Sequence, residues 1–144
     1  MKTKFIVILS MLVVLSFFSK FTYSQEKQAS HFYEMNFLSV PYEQMEEFMR
    51  FYETTGKPLD AQNEYVLSVK ILKHVSGPSW NICFLTEYKD LESFAKAQKR
   101  GDEIFEKTYS EKSKKDEIMN KWMTFLRGHT DALVSDNPGL EKTK

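Results

Sequence analysis

A histidine and an aspartate stand two residues apart, as His129 and Asp131, directly after Gly128 and an apolar run with helical spacing. Imidazole and carboxylate together are the usual groups for general acid–base catalysis near neutral pH. If the chain after Gly128 forms a strand, both side chains project to one face, because side chains alternate along a strand. The alternative interpretation is that Gly128 ends a helix and that His129 lies near the negative end of its dipole.

Glu34 and Asn36 alternate with apolar residues in HFYEMNFLSV (31–40), so they share one face of a predicted strand. If the last strand lies beside this first strand, His129 and Asp131 fall on the same face. Glu34 is then the better orienting partner for His129, because residues two apart on one strand seldom contact each other well. His129 is therefore our candidate general acid/base.

Lys70 and His74, on a second predicted strand, are expected to join this polar face, and Trp80 stands at a strand start beside a turn. Polar groups in an otherwise apolar cavity are the usual build of a small-ligand pocket. The candidate ligand-binding residues are Glu34, Asn36, Lys70, His74, Trp80 and Asp131. Another interpretation stays open for three of them: Asp131 as a turn former, Lys70 as a surface side chain that extends to solvent, and His74 as a strand end.

The same residue types suggest a metal site, since imidazole and carboxylate suit zinc or iron. Its ligands would be Glu34, His74, His129 and Asp131. These residues are scattered, and no H-x-x-x-H or H-E-x-x-H spacing supports them. We therefore predict neither a metal site nor a bound cofactor. The sequence also has no Ser-His-Asp set and no phosphate-binding glycine loop.

These side chains are positioned by elements in the order strand, helix, strand, strand, helix and, in one interpretation, a last strand. Strands are predicted at 31–40, 64–75, 80–88 and 132–134, and helices at 42–53 and from 91 to 126. The second helix is expected to break near Gly101 and the charged EKSKKDE stretch, and Trp122 is expected in the core. Turn residues at Ser76–Ser79 join the second and third strands as a hairpin. This is the α+β, ferredoxin-like βαββαβ order, with an antiparallel sheet and helices on one face.

The first 24 residues have the pattern of a secretory signal peptide. Lys2 and Lys4 precede an uncharged apolar run from Phe5 to Phe18, and small residues follow, ending at Ser24. The alternative is a retained membrane anchor, since the run is not far below the length that spans a bilayer. We expect cleavage, and therefore a periplasmic or secreted protein with no membrane partner.

The chain of 144 residues carries 20 basic and 20 acidic residues. Lys2, Lys4 and Lys20 lie in the signal segment, which holds no acidic residue, so its removal leaves a net charge of −3. This balance excludes a strongly basic nucleic-acid surface. Cys83, the single cysteine, stands among apolar residues, and we predict a small buried apolar group rather than a nucleophile.

The element order, in one small domain of aromatic-rich strands, resembles the dimeric α/β-barrel superfamily. That superfamily includes antibiotic-biosynthesis-type monooxygenases, haem-degrading monooxygenases and stress-responsive barrel proteins. The resemblance spans residues 31–135, is one of layout, and implies a homodimer in which the open sheet faces meet and enclose a ligand cavity. Hydropathy also favours a partner that covers the open face. Without one, a face carrying Phe32, Leu38, Val66 and Leu72 would be a large exposed apolar patch.

Haem-degrading members resemble this chain in two residues at most. Asn36 answers to an asparagine on their first strand, and Trp80 to a tryptophan. The histidine that ligates iron from their second helix has no counterpart here, because the segment from Leu91 to Met123 contains no histidine. The resemblance therefore does not imply haem degradation.

We expect an exported single domain at 31–135, flanked by flexible segments at 25–30 and 136–144, that binds a small apolar or aromatic molecule between sheet and helices. Two alternatives stay open. One is a cofactor-independent, monooxygenase-like enzyme with His129 as acid/base. The other is a purely structural interaction protein, which would have its open sheet face filled by side chains and no cavity.

Overall fold

The computed structural model of the chain describes residues 30–75 and 80–140. Within them, one antiparallel sheet contains β1 (Phe32–Ser39), β2 (Ser68–Lys73), β3 (Ile82–Tyr88) and β4 (Gly128–Ser135). The spatial order is β2-β3-β1-β4. The predicted α+β, ferredoxin-like order is therefore confirmed, including a last strand that returns beside the first.

Helical segments pack on one face of this sheet. The first begins with a 3-10 turn (Tyr42–Gln44) and continues as α1 (Met45–Phe51), a π-helical turn (Tyr52–Gly56) and α2 (Lys57–Asp60). Two longer helices, α3 (Leu91–Thr108) and α4 (Lys112–Phe125), connect β3 to β4, and a 3-10 turn (Pro138–Leu140) follows the sheet. No helix in the described ranges is long and apolar enough to cross a membrane.

The first helical segment does not end before Gly56, as the sequence pattern indicates, but runs on to Asp60. A Cβ atom at Gly56 would lie 2.6 Å from Cδ2 of Tyr52, so only glycine lets the Tyr52 ring pack against this backbone. Pro58 lies in the first turn of α2, directly after the π-helical turn. The Gly-Lys-Pro sequence therefore marks a π-helical turn rather than a helix end.

The predicted break in the second helical region is confirmed, but its position differs. Gly101 lies inside α3, and the chain breaks between Thr108 and Lys112. Asp90 caps the start of α3, because its Oδ1 accepts a hydrogen bond from the Ser93 N–H at 2.7 Å.

The strand bounds also shift. β2 begins at Ser68 and β3 at Ile82, later than predicted, whereas β4 begins at Gly128 and is longer than the predicted 132–134. The signal segment and the Ser76–Ser79 turn lie outside the described residues.

The core forms where the helices meet the sheet. Phe48 of α1 is fully buried and makes edge-on ring contacts with Phe84 of β3 and Phe125 of α4. Trp122 packs against the same cluster, 5.4 Å from the Phe48 ring. Apolar residues at helical spacing thus converge on the sheet, as the periodicity predicts.

The prediction that Phe32 and Leu38 belong to the open face is wrong. Leu38 is 1% exposed and belongs to the core, and strand alternation places Phe32 on the same, helix-covered side. Val66 precedes β2. The open face instead carries apolar residues from all four strands, namely Tyr33, Met35, Phe37, Leu72, Leu85 and Val134.

Candidate functional site

A cleft of about 430 Å³ lies between the helix-covered face of the sheet and the helices. Its volume falls within the range of small-molecule sites, which are mostly apolar with a few placed polar groups. The apolar walls come from Leu38, Leu59, Val66, Val69, Phe84 and Trp122. The polar groups come from β1, β3, β4, α3 and the segment around the π-helical turn.

Glu34 is the centre of the polar groups. Its carboxylate accepts hydrogen bonds from the Tyr88 hydroxyl at 2.8 Å, from Nε2 of Gln98 at 3.3 Å and from Nδ2 of Asn36 at 3.3 Å. The antiparallel pairing of β1 with β3 aligns Glu34 with Thr86, one side-chain step from Tyr88 on the same face. Three neutral donors therefore hold this carboxylate in place from β1, β3 and α3.

His129 and Asp131 contact each other directly, with 2.8 Å between Nε2 and Oδ1. The same Asp131 oxygen accepts a hydrogen bond from Nδ2 of Asn36 at 2.8 Å, because β4 pairs with β1 in the register that places Asn36 opposite Asp131. His129 lines the cleft, and both side chains of the pair are about half exposed. The pair therefore stands at an open end of the cleft.

The expectation that Glu34 orients His129 is wrong, and Asp131 takes that position. β4 is an edge strand, so its side chains have room to lean along the strand towards each other. Glu34 is meanwhile engaged by Tyr88, Gln98 and Asn36. Asn36 links the two carboxylates, because its amide donates to both.

Tyr52 and Asp60 form a second polar pair in the cleft, with the tyrosine hydroxyl donating to Oδ2 of Asp60 at 2.8 Å. Burial raises the pKa of the Asp60 carboxyl, and the hydrogen bond from Tyr52 offsets part of that rise. Burial is also the main reason why the pKa of Tyr52 is raised, followed by the hydrogen bond to Asp60 and its charge. Tyr52 therefore stays protonated and acts as a donor.

The pKa of Tyr88 is raised for the same reasons. Burial has the largest effect, and the hydrogen bond and charge of Glu34 and the charge of Asp60 add to it. The negative charges of Glu34 and Asp60 thus both raise the pKa of the buried Tyr88 hydroxyl, although the two residues come from different elements.

Asn63 belongs to the loop that follows α2. It attaches this loop to α3, because its Nδ2 donates a hydrogen bond to the Ala97 carbonyl at 2.9 Å. Asn63 is itself buried. Across from it, a Cβ atom at Gly101 would make an ordinary van der Waals contact with Nδ2 of Asn63, at 3.8 Å.

Lys70, His74 and Trp80 do not join the cleft. Lys70 pairs with Leu85 and is exposed on the open face, whereas Val69 pairs with Thr86 and faces the helices. The prediction that Lys70 shares a face of the sheet with Glu34 and Asn36 is therefore wrong. His74 stacks on Trp80 with ring centroids 4.4 Å apart, and its Nδ1 lies 2.6 Å from the Trp80 carbonyl oxygen. Ligand binding by these three residues stays a prediction.

The sequence reasoning missed Tyr52, Asp60, Asn63, Tyr88 and Gln98 as lining residues. Tyr88 had a usable signal, since it alternates with Phe84 and Thr86 on a strand that the ferredoxin-like order places next to β1. Tyr52 and Asp60 had none, because the pattern around Gly56 indicated a helix end between them.

Among the described residues, no group of three or more His, Cys, Asp or Glu side chains could hold a metal ion. His74 lies with Trp80, away from the Glu34, His129 and Asp131 that the metal hypothesis would join to it. Cys83 is buried, as predicted, and burial raises the pKa of its thiol. A protonated, inaccessible thiol is a poor nucleophile.

Neither a protein-family model nor a curated protein matches the sequence. Solved structures do match. An uncharacterised NIPSNAP domain protein from Burkholderia xenovorans is 14% identical, with a TM-score of 0.58 over 77% of this chain and 99% of that protein. A dimeric ferredoxin-like protein from an uncultured marine organism is 14% identical, with a TM-score of 0.55 over 81% and 96% of the two chains.

A DABB family protein with a ferredoxin-like fold, from Mesorhizobium loti, is 8% identical and has a TM-score of 0.54 over 73% of this chain and 95% of that protein. Sequence identities this low show a shared fold and nothing finer. The chain thus has a ferredoxin-like α+β fold, as its element order predicts.

Proposed function

We propose that this protein is an exported, homodimeric domain that binds a small, partly apolar molecule in the cleft. The observation that carries the proposal is the cleft itself, with apolar walls around polar side chains that hydrogen bonds already hold in position. Such preorganisation lowers the cost of ordering side chains when a ligand binds. Export is supported by the N-terminal sequence pattern, and the homodimer by the apolar open face and by the dimeric ferredoxin-like neighbour.

A substitution at Gly101 tests the cleft, because this residue lines it from α3 and a Cβ atom there would meet no neighbour closer than 3.8 Å. Gly101→Leu places a branched side chain in the cleft, whereas Gly101→Ala adds only a methyl group and serves as the matched control. Native mass spectrometry of the purified whole chain, and thermal-shift screening with small apolar and aromatic compounds, report binding. We expect wild type and Gly101→Ala to retain a ligand or respond to the same compounds, and Gly101→Leu to lose both. Equal responses from all three proteins would contradict the proposal.

A second candidate function is catalysis by the His129–Asp131 pair without a cofactor, in the manner of a monooxygenase-like enzyme. The direct 2.8 Å contact favours it, because a carboxylate that holds one imidazole nitrogen orients the other for proton transfer. The probe is oxygen uptake with electron-rich polycyclic phenols. His129→Gln should abolish turnover but leave ligand binding intact. Turnover that survives this change would remove the acid/base role.

A further inference from the structure

The charged side chains of the cleft share one sign. Three carboxylates line it, those of Glu34, Asp60 and Asp102, and no lysine or arginine is among the lining residues of the described chain. His129 is the one lining side chain that could become cationic, and it contacts Asp131 rather than any of the three. Apolar walls around charges of one sign keep those charges incompletely screened.

In the described part of the chain, no cationic side chain pairs with the carboxylates in the interior of the cleft. Glu34 accepts hydrogen bonds from a hydroxyl and two amides, and Asp60 from a hydroxyl. Neutral donors satisfy the oxygen lone pairs but leave the negative charge in place.

The described cations near the cleft pair with carboxylates outside it. Lys57, which lies one turn before Asp60 on the same helix, is 4.0 Å from Glu53. Arg100 of α3 pairs with Glu64 at 3.0 Å and Glu103 at 3.3 Å, and Lys96 pairs with Glu92 at 2.7 Å. Lys70, the cation nearest in the sheet by register, is on the opposite face. Within residues 30–75 and 80–140, no cation therefore pairs with the cleft carboxylates, and a ligand is the natural source of a positive partner.

The aromatic residues that line the cleft also favour a positively charged partner. Tyr52, Tyr88, Phe84 and Trp122 all line the cleft, and the faces of aromatic rings attract cations. These rings also supply an apolar surface for the rest of a ligand. A ligand with a positive group and a hydrocarbon or aromatic body matches both features.

We propose that the cleft takes an organic cation, namely a protonated amine on an apolar body, with its charge beside Glu34 and Asp60. This inference rests on the proposed function, since it names the ligand class of the same cleft. An anionic ligand of equal shape is excluded by repulsion, and a neutral one gains no charge pairing.

Three probes with one carbon skeleton separate charge from shape: phenylpropylamine, phenylpropanol and phenylpropionate. Isothermal titration calorimetry of the whole chain measures each. We expect the amine to bind about tenfold or more tightly than the alcohol, and the carboxylate to bind more weakly than both. Glu34→Gln and Asp60→Asn should each weaken amine binding about tenfold and weaken alcohol binding by a smaller factor. Glu43→Gln, which removes an exposed charge outside the cleft, controls for net charge and should leave amine binding unchanged.

The outcomes distinguish this inference from the function on which it rests. If the alcohol or the carboxylate binds as tightly as the amine, or if none of the three binds, the cation class is wrong. If Gly101→Leu still loses the ligand response that wild type and Gly101→Ala show, the cleft remains the binding site for another class of molecule. If they too behave alike, both proposals fail.

Discussion

Asp60 is a residue whose local environment opposes its charge. Its carboxyl is half-buried, accepts a hydrogen bond from the Tyr52 hydroxyl, and has a pKa that burial raises. A group with a raised pKa contributes stability below its unfolded-state pKa, and this contribution is lost as the pH rises through the folded-state value. Retaining an acid at such a position costs folding free energy near neutral pH, which is common at functional sites.

The first prediction follows from this cost. Asp60→Asn keeps an oxygen that can accept from Tyr52 but removes the buried charge, so the variant should be at least as stable as wild type at neutral pH. As the pH falls below the unfolded-state pKa of aspartate, Asp60 becomes protonated and wild type regains the lost stability. The stability advantage of Asp60→Asn should therefore disappear. Thermal melts of both proteins across this pH range measure the effect. An advantage that grows towards low pH would contradict the assignment.

Two glycines on the helical segments have opposite surroundings. Gly56 ends the π-helical turn with the Tyr52 ring against its backbone, so that an added Cβ would meet Cδ2 at 2.6 Å. Gly101 lies inside α3, where an added Cβ would meet its nearest neighbour at 3.8 Å. The π-helical turn is what carries the chain past Gly56 to Asp60, and so it positions the Tyr52–Asp60 pair.

The second prediction compares alanine at these two sites. Gly101→Ala should stabilise the protein by about 0.5–1 kcal/mol, because alanine restricts the unfolded chain and fits the helix without a clash. Gly56→Ala should destabilise it by about 1–3 kcal/mol, since the Tyr52 ring or the turn must move. Urea unfolding measures both. Equal effects at the two sites would show that the close approach of Tyr52 does not control this turn.

The open face of the sheet is the surface through which two copies of the chain would meet. Val134 and Leu133 are consecutive residues of β4 and are 42% and 41% exposed, but they project to opposite faces. Leu133 pairs with Glu34 on the helix-covered side, and Val134 pairs with Tyr33 on the open side. If two copies meet through their open faces, only Val134 lies towards the partner.

The third prediction uses this pair. Val134→Lys should dissociate the proposed homodimer, because it places a charge in an apolar interface. Leu133→Lys is the matched control and should leave the dimer intact. Both side chains are exposed in the single chain, so neither change should prevent folding. Light scattering after size-exclusion chromatography measures the mass. A wild-type monomer at micromolar concentration would rule out the homodimer.

The element order was predictable because it depends on periodicity along the chain. Alternation in HFYEMNFLSV and the helical spacing of Phe48, Ile118, Trp122 and Phe125 are local patterns, and burial of apolar faces enforces them. The short Ala-Leu-Val segment was enough to indicate β4, although not its start at Gly128. The helix end at Gly56 was predicted wrongly, since a glycine followed by a proline usually ends a helix.

The sequence by itself determined the ferredoxin-like order, the shared face of Glu34 and Asn36, and the burial of Cys83, because each follows from alternation or hydropathy within one segment. Only the tertiary structure decided which residues meet. The register of β1 with β4 brings Asn36 to Asp131, and the register of β2 with β3 turns Lys70 away from the cleft. A one-residue change in register would exchange the two faces of a strand. The close packing of Tyr52 on Gly56 likewise carries the chain on to Asp60, a contact that no local pattern in the sequence encodes.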